Sequence, residues 1–163
     1  MIHPIVKTPD YKIIAEIHLK LNSNAALVQS NLGCGTLGLL FLNVTPAVYN
    51  KLLAIAFVPP VNHGPEPKIS AVVTGAAIYD LWYHHGVATN VFTEYENTDK
   101  DLCQILLASI DELYVWSLRH KYIGYGKTTT RALLNHLYNT YANISASALQ
   151  YNDTRLRATY NSN

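Results

Sequence analysis

The sequence predicts a mainly α-helical protein, a multi-helix bundle with one short extended segment near residues 37–44. Apolar residues recur at helical spacing along most of the chain. Several of these stretches begin on a residue able to cap a helix, such as Thr45, Thr98 or Ser145. Most of the glycines and prolines fall between the stretches.

Residues 1–10 hold two prolines and read as an irregular lead-in. Residues 11–32 carry Ile14, Ile17, Leu21, Ala25 and Val28 on one helical face. Ser30, Asn31 and the glycines at 33, 35 and 38 stop that helix. Leu37 to Val44 is an apolar run that reads as a strand or a buried extended segment. Thr45-Pro46 places a hydroxyl at the cap and proline at the first helical position, so a helix carrying Val48, Leu52 and Ile55 is expected. Residues 58–67 contain four prolines and a glycine, through which no helix continues. That stretch reads as a linker between a leader of residues 1–57 and a domain of residues 68–163.

A long helix is expected over 69–95, apolar at Val72, Val73, Ala76, Ile78, Tyr79 and Trp82, with Gly86 in its middle. Thr98, followed by Asp99 and Asp101, predicts a fresh capped start. The helix after it would align Leu102, Ile105, Leu106, Ile110, Leu113 and Trp116. Ile123 to Lys127 reads as a glycine turn. A further helix over 128–141 carries Leu133, Leu134, Leu137, Tyr138 and Tyr141, and Ser145 caps a last short one around Leu149. Leu106, Leu113, Trp116, Leu134, Leu137 and Tyr141 are the expected core and assembly residues.

Apolar residues make up 49% of the 163 and charged ones 14%, with a formal net charge of +1. Soluble domains ordinarily carry about 25% charged residues. Much of this surface must then be uncharged, with room for apolar patches that need a partner. The near-neutral balance argues against a protein built to bind nucleic acid. The densest basic run, Arg119-His120-Lys121, reads as a solvated helix end near a negative dipole pole. Cys34 and Cys103 read as free thiols of a reducing, cytoplasmic location. His3, Pro4, Lys7 and Asp10 interrupt any secretory segment. The apolar runs fall short of the ~20 residues that span a bilayer, so no membrane partner is expected. The sequons at Asn43, Asn143 and Asn152 then have no meaning as glycosylation sites.

No catalytic, cofactor or metal site emerges. Gly33-Cys34-Gly35-Thr36-Leu37-Gly38 fits the dinucleotide pattern in letters. That chemistry needs a strand before the glycines, a helix after them and a carboxylate about 20 residues on. Here a helix leads in, and no Asp or Glu occurs between Glu16 and Glu66. Gly124-Tyr125-Gly126-Lys127-Thr128-Thr129 looks like a phosphate loop, but Lys121 stands where that motif requires its first glycine. No two histidines share a helical face at ligand spacing, and neither cysteine belongs to a C-x-x-C pair. Cys103 sits among Leu and Ile, where a thiol is inert. Asp111-Glu112 falls on a wet helix face. The twelve tyrosines, with Tyr79 and Tyr83 on one face and Tyr138 and Tyr141 on another, suit packing and self-association.

Residues 99–144 carry Asp99-x-Asp101-Leu102, Ile105-Leu106-Leu107, Ile110, Leu113, Gly124, Thr128 to Thr130 and Leu133-Leu134-x-His136-Leu137-x-x-x-Tyr141. This pattern resembles the capsid region of Gag-like proteins of copia-type LTR retrotransposons. Leu21-Asn22-x-Asn24-Ala25-Ala26, leading to Gly33-x-Gly35, and Asn152-Asp153-x-Arg155-Leu156-Arg157-Ala158-x-Tyr160 are similar to other parts of the same group. The resemblance implies a capsid-type bundle, homo-oligomeric assembly and no catalysis. Such proteins continue into more capsid helices and often a C-x-x-C-x-x-x-x-H-x-x-x-x-C zinc knuckle. Without the knuckle the chain is expected to be the front part of such a region, truncated or domesticated. The alternative is a module binding RNA weakly through Arg119, Lys121, Lys127, Arg131, Arg155 and Arg157.

Overall fold

The computed structural model describes residues 9–32, 36–53, 56–67, 69 and 75–142. The expected helix around Leu149, the glycines at 33 and 35, and the apolar positions 55, 72 and 73 lie outside them. The described chain is mainly helical, as its periodicity predicts, and its helices share one core.

Helix α1 spans Tyr11–Leu27. The Asp10 carboxylate accepts the Ile13 N–H at 2.9 Å and so caps its first turn. The helix buries Ile14, Ile17, Leu21 and Ala25, the face its sequence spacing marks. The end of α1 is met by residues 36–44. Gly38 adopts φ +48°, and the chain doubles back onto the last carbonyls of the helix. The Leu39 N–H donates to the Ala25 carbonyl at 2.9 Å, satisfying one acceptor that the helix leaves open.

The segment expected to be extended is instead coiled, closing a 3₁₀ turn at Leu40–Leu42. Leu39, Leu40, Phe41, Leu42 and Val44 are all buried. A strand with one wet face alternates polar and apolar residues, and this run does not. A tight turn buries consecutive side chains on several sides without exposing every second one.

Helix α2 covers Pro46–Leu52, capped by the Thr45 hydroxyl, which accepts the Val48 N–H at 3.3 Å. The sequence assigns its inner face to Val48 and Leu52, yet both are exposed and Tyr49 is fully buried. Tyr49 stands edge-on to Phe41 and Phe57, with centroids 5.6 and 5.4 Å away, and those two rings stack at 4.3 Å. A seven-residue helix presents only one or two side chains to a neighbour, and the aromatic cluster selects the tyrosine.

Residues 58–67 hold no helix or strand, as their prolines require. They do not separate two cores, however. Buried residues from Ile14 to Phe57 form one cluster with those from Leu102 to Leu137. A division at 58–67 would expose both halves of that cluster, so the leader and the larger unit fold together.

Helix α3 runs unbroken over Gly75–Ser109, 35 residues. The expected restart at Thr98 does not occur. Its hydroxyl donates back to the Glu94 carbonyl at 2.9 Å, an interaction internal to a continuing helix. Asp99 caps a different helix, its carboxylate accepting the Thr130 N–H at 3.0 Å. After Ser109 the chain turns through 3₁₀ segments at Glu112–Tyr114 and Trp116–Leu118. Helix α4 spans Thr130–Tyr141 and buries Thr130, Leu133, Leu134 and Leu137. Helices α1, α3 and α4 pack mutually around this core.

Candidate self-association surface

The buried residues of α3 all lie in its last third, Leu102, Cys103, Leu106 and Ser109, with Tyr95 packed against the same core one turn earlier. Projected at about 100° per residue, the four buried residues lie on one side of the helix. On the opposite side lie Gly75, Tyr79, Trp82, Tyr83, Gly86, Asn90, Thr93 and Asn97, and all eight are exposed. The charged residues between 75 and 97 are Asp80, Glu94 and Glu96, which project to the flanks of this stripe. A water-facing helix surface is ordinarily charged. This one is not, over about 33 Å at 1.5 Å per residue.

The stripe has two unlike halves. Its N-terminal half carries rings, with Tyr79 70%, Trp82 48% and Tyr83 58% exposed. Tyr79 and Tyr83 stack with centroids 6.4 Å apart, as neighbours one helical turn apart do. These rings, with Ile78 and Gly75, line an open apolar hollow of about 570 Å³. Val87 is exposed on one flank of the stripe, and Leu81 is exposed on the opposite side of the helix. The C-terminal half carries small or short polar side chains, and the Gly86 position has no heavy atom within 4 Å of where a Cβ would stand. On the flank, His85 meets His63 of the proline-rich segment, ring centroids 6.4 Å apart.

The residues expected to form the core and assembly face divide. Leu106, Leu134 and Leu137 are buried in the core. Tyr141 is half-buried, its ring edge-on to Tyr114 at 5.3 Å. Leu113 and Trp116 are not core residues, being 72% and 56% exposed. The helical spacing that linked them to Leu106 lapses where α3 ends, and Val115 fills the inward position between them, fully buried.

Among the described residues, the cations proposed for nucleic acid do not form one basic groove. Arg131 stacks over the Phe41 ring at 4.6 Å and donates to the Phe41 carbonyl. Arg119 lies 4.6 Å over Trp116 and 3.4 Å from the Glu112 carboxylate. Lys121 sits over Tyr122. Lys127 lines a groove of about 390 Å³ with Lys100, which itself pairs with Glu96 at 3.5 Å. Arg155 and Arg157 lie outside the described residues.

Among the described residues, Cys103 is buried and His18 is half-buried. Burial pushes the Cys103 thiol up to about 11, against a lowering by its Thr130 hydrogen bond and with a further rise from Asp99. Such a thiol is inert at neutral pH. His18, on α1, faces α4, its Nδ1 3.1 Å from the Tyr138 hydroxyl. Burial lowers its pKa, opposed by a hydrogen bond with the Asn43 backbone. Among the described residues no three His, Cys, Asp or Glu side chains converge to hold a metal ion. No described helix is long and apolar enough to cross a membrane.

The sequence places Tyr79, Trp82 and Gly86 on one helix and offers Tyr79 and Tyr83 for packing and self-association, but it singles out neither Leu81 nor Val87. The available signal was the absence of charge along one 75–97 stripe, which can be read from the helical projection alone. No protein-family model, curated protein or solved structure matches the chain.

Proposed function

We propose that this protein is a structural, non-catalytic helical module that self-associates, the role implied by its resemblance to Gag-like capsid regions. One observation carries the proposal: the charge-free, ring-bearing outer stripe of α3. A second copy, which brings an uncharged stripe of its own, suits it better than a charged partner, because the stripe holds no charged side chain to pair with one. Aromatic residues are enriched where protein surfaces meet, and charged residues are depleted there.

Size-exclusion chromatography with light scattering tests this directly. The parent chain should run as a dimer or larger at micromolar concentrations. Trp82→Glu places a charge in the centre of the rings and should yield monomers with unchanged helical circular dichroism. A parent chain that stays monomeric throughout the accessible concentration range would refute the proposal.

A further inference from the structure

We infer that the contact is an antiparallel, two-fold pairing of α3 with α3 of a second copy, centred on Gly86. The inference rests on the self-association proposed above and adds its geometry. A two-fold contact uses the same patch on both subunits, so the patch must complement itself. The α3 stripe does so in one direction only. Tyr79 and Thr93 stand seven residues either side of Gly86, and Trp82 and Asn90 stand four residues either side. An antiparallel pair therefore lays the rings of each helix over the short side chains of the other. The two Gly86 positions meet on the axis, where the open space above each backbone admits close approach.

A parallel pair would set Tyr79 on Tyr79 and Trp82 on Trp82, crowding one end and leaving a gap from Gly86 onward. Interior packing tolerates neither overpacking nor voids. The antiparallel arrangement also brings the partner's Asn90 and Thr93 within reach of the Tyr79 and Tyr83 hydroxyls, which require partners once buried. The exposed fractions of the three rings are 70%, 48% and 58%. At ~200 Å² per ring they would bury about 350 Å² on each copy. A stable interface takes ~800 Å² per partner, so the rings form its centre and the flanking helix surface must supply the rest.

Disulfide trapping between full-length chains tests the geometry. Tyr79→Cys and Thr93→Cys are made separately in a Cys34→Ser background; Cys103 is buried and stays. The two variants are mixed and mildly oxidised. Antiparallel pairing predicts the mixed Tyr79→Cys/Thr93→Cys disulfide in at least about tenfold excess over either homodimer, the ratio set by 1.4 kcal/mol of preference. Excess homodimers would establish a parallel pair and overturn this inference while leaving self-association intact. Dimers by light scattering without any disulfide would place the contact on another face, with the same consequence. A monomeric parent would remove both, and would mean that the stripe is covered by another segment of the chain or by a different protein.

Discussion

Replacing Gly38 with alanine tests how the chain closes the end of α1. Gly38 has φ +48°, a region where an L residue suffers a clash worth about 1–2 kcal/mol. A Cβ there would also lie 2.4 Å from the Val28 carbonyl oxygen, 2.7 Å from that of Ala25 and 2.8 Å from that of Ala26. All three atoms are backbone, so none can swing aside as a side chain would. Overpacking of this kind adds about 1–3 kcal/mol. The expected loss is therefore about 2–5 kcal/mol. For a chain of this size each kcal/mol moves the melting temperature by roughly 2–4 °C, so Gly38→Ala should melt roughly 4–20 °C below the parent. Gly124→Ala is the control, because Gly124 has φ +58° but nothing within 4 Å of its Cβ position. It should show the backbone penalty alone. Melting followed by circular dichroism separates the two. If Gly38→Ala melts no lower than Gly124→Ala, residues 36–44 do not fold back onto α1 and the account of that corner is wrong.

The buried and exposed leucines of the second half should respond oppositely. Leu137→Ala should lose about 2–5 kcal/mol in urea denaturation, as deletion from a packed core does. Leu113→Ala, at a side chain 72% exposed, should stay within about 0.5 kcal/mol of the parent. Leu137→Asp should leave no cooperative transition; a normal one would remove Leu137 from the core. His18 predicts a pH dependence. Its folded pKa lies below the ordinary 6.5, so the unfolded chain binds the proton more readily. Its contribution is then complete above about pH 6.5 and is lost as pH falls from there through the folded value, by at most about 1.36 kcal/mol per pH unit. Denaturation of the parent and of His18→Gln across that window should show a steeper acid loss in the parent. Parallel curves would mean that His18 is as accessible to protons in the folded chain as in the unfolded one.

The helices were legible wherever a cap and an apolar period coincided. Thr45 and the spacings from Ile14 to Ala25 and from Leu133 to Leu137 each predict what forms, because capping and amphipathicity are local. Thr98 looked equally good and was not a cap. Its hydroxyl can bond either forward to a free N–H or back to a carbonyl, and only the continuing helix decides which. The fold-back at Gly38 could not be read at all, since the oxygens that exclude a side chain there belong to residues ten or more positions earlier. Leu113 and Trp116 failed for a related reason. Periodicity extends a face through any apolar residue, but the helix stops at Ser109, and the turns beyond it bury Val115.

The α3 stripe marks a different boundary of what periodicity conveys. A period of 3.6 shows that one face of a helix avoids water, and it identifies neither what covers that face nor whether the cover belongs to the same chain. In α3 the two faces differ in kind. Leu102 and Leu106 avoid water by packing on α1 and α4, whereas Tyr79, Trp82 and Tyr83 stand exposed on the opposite side. Apolarity alone treats the two alike. Charge separates them, because a surface meant for water normally carries it and the outer stripe carries none from Gly75 to Asn97. Asp99 turns inward to the start of α4, and Lys100 and Asp101 are the next charged residues on the outer side, beside the residues that anchor α3 in its own core. If the stripe is a contact, Lys100→Ala should leave association unaffected, while Asn90→Lys, which moves a charge into the stripe, should abolish it. The opposite ranking in light scattering would show that its lack of charge has nothing to do with binding.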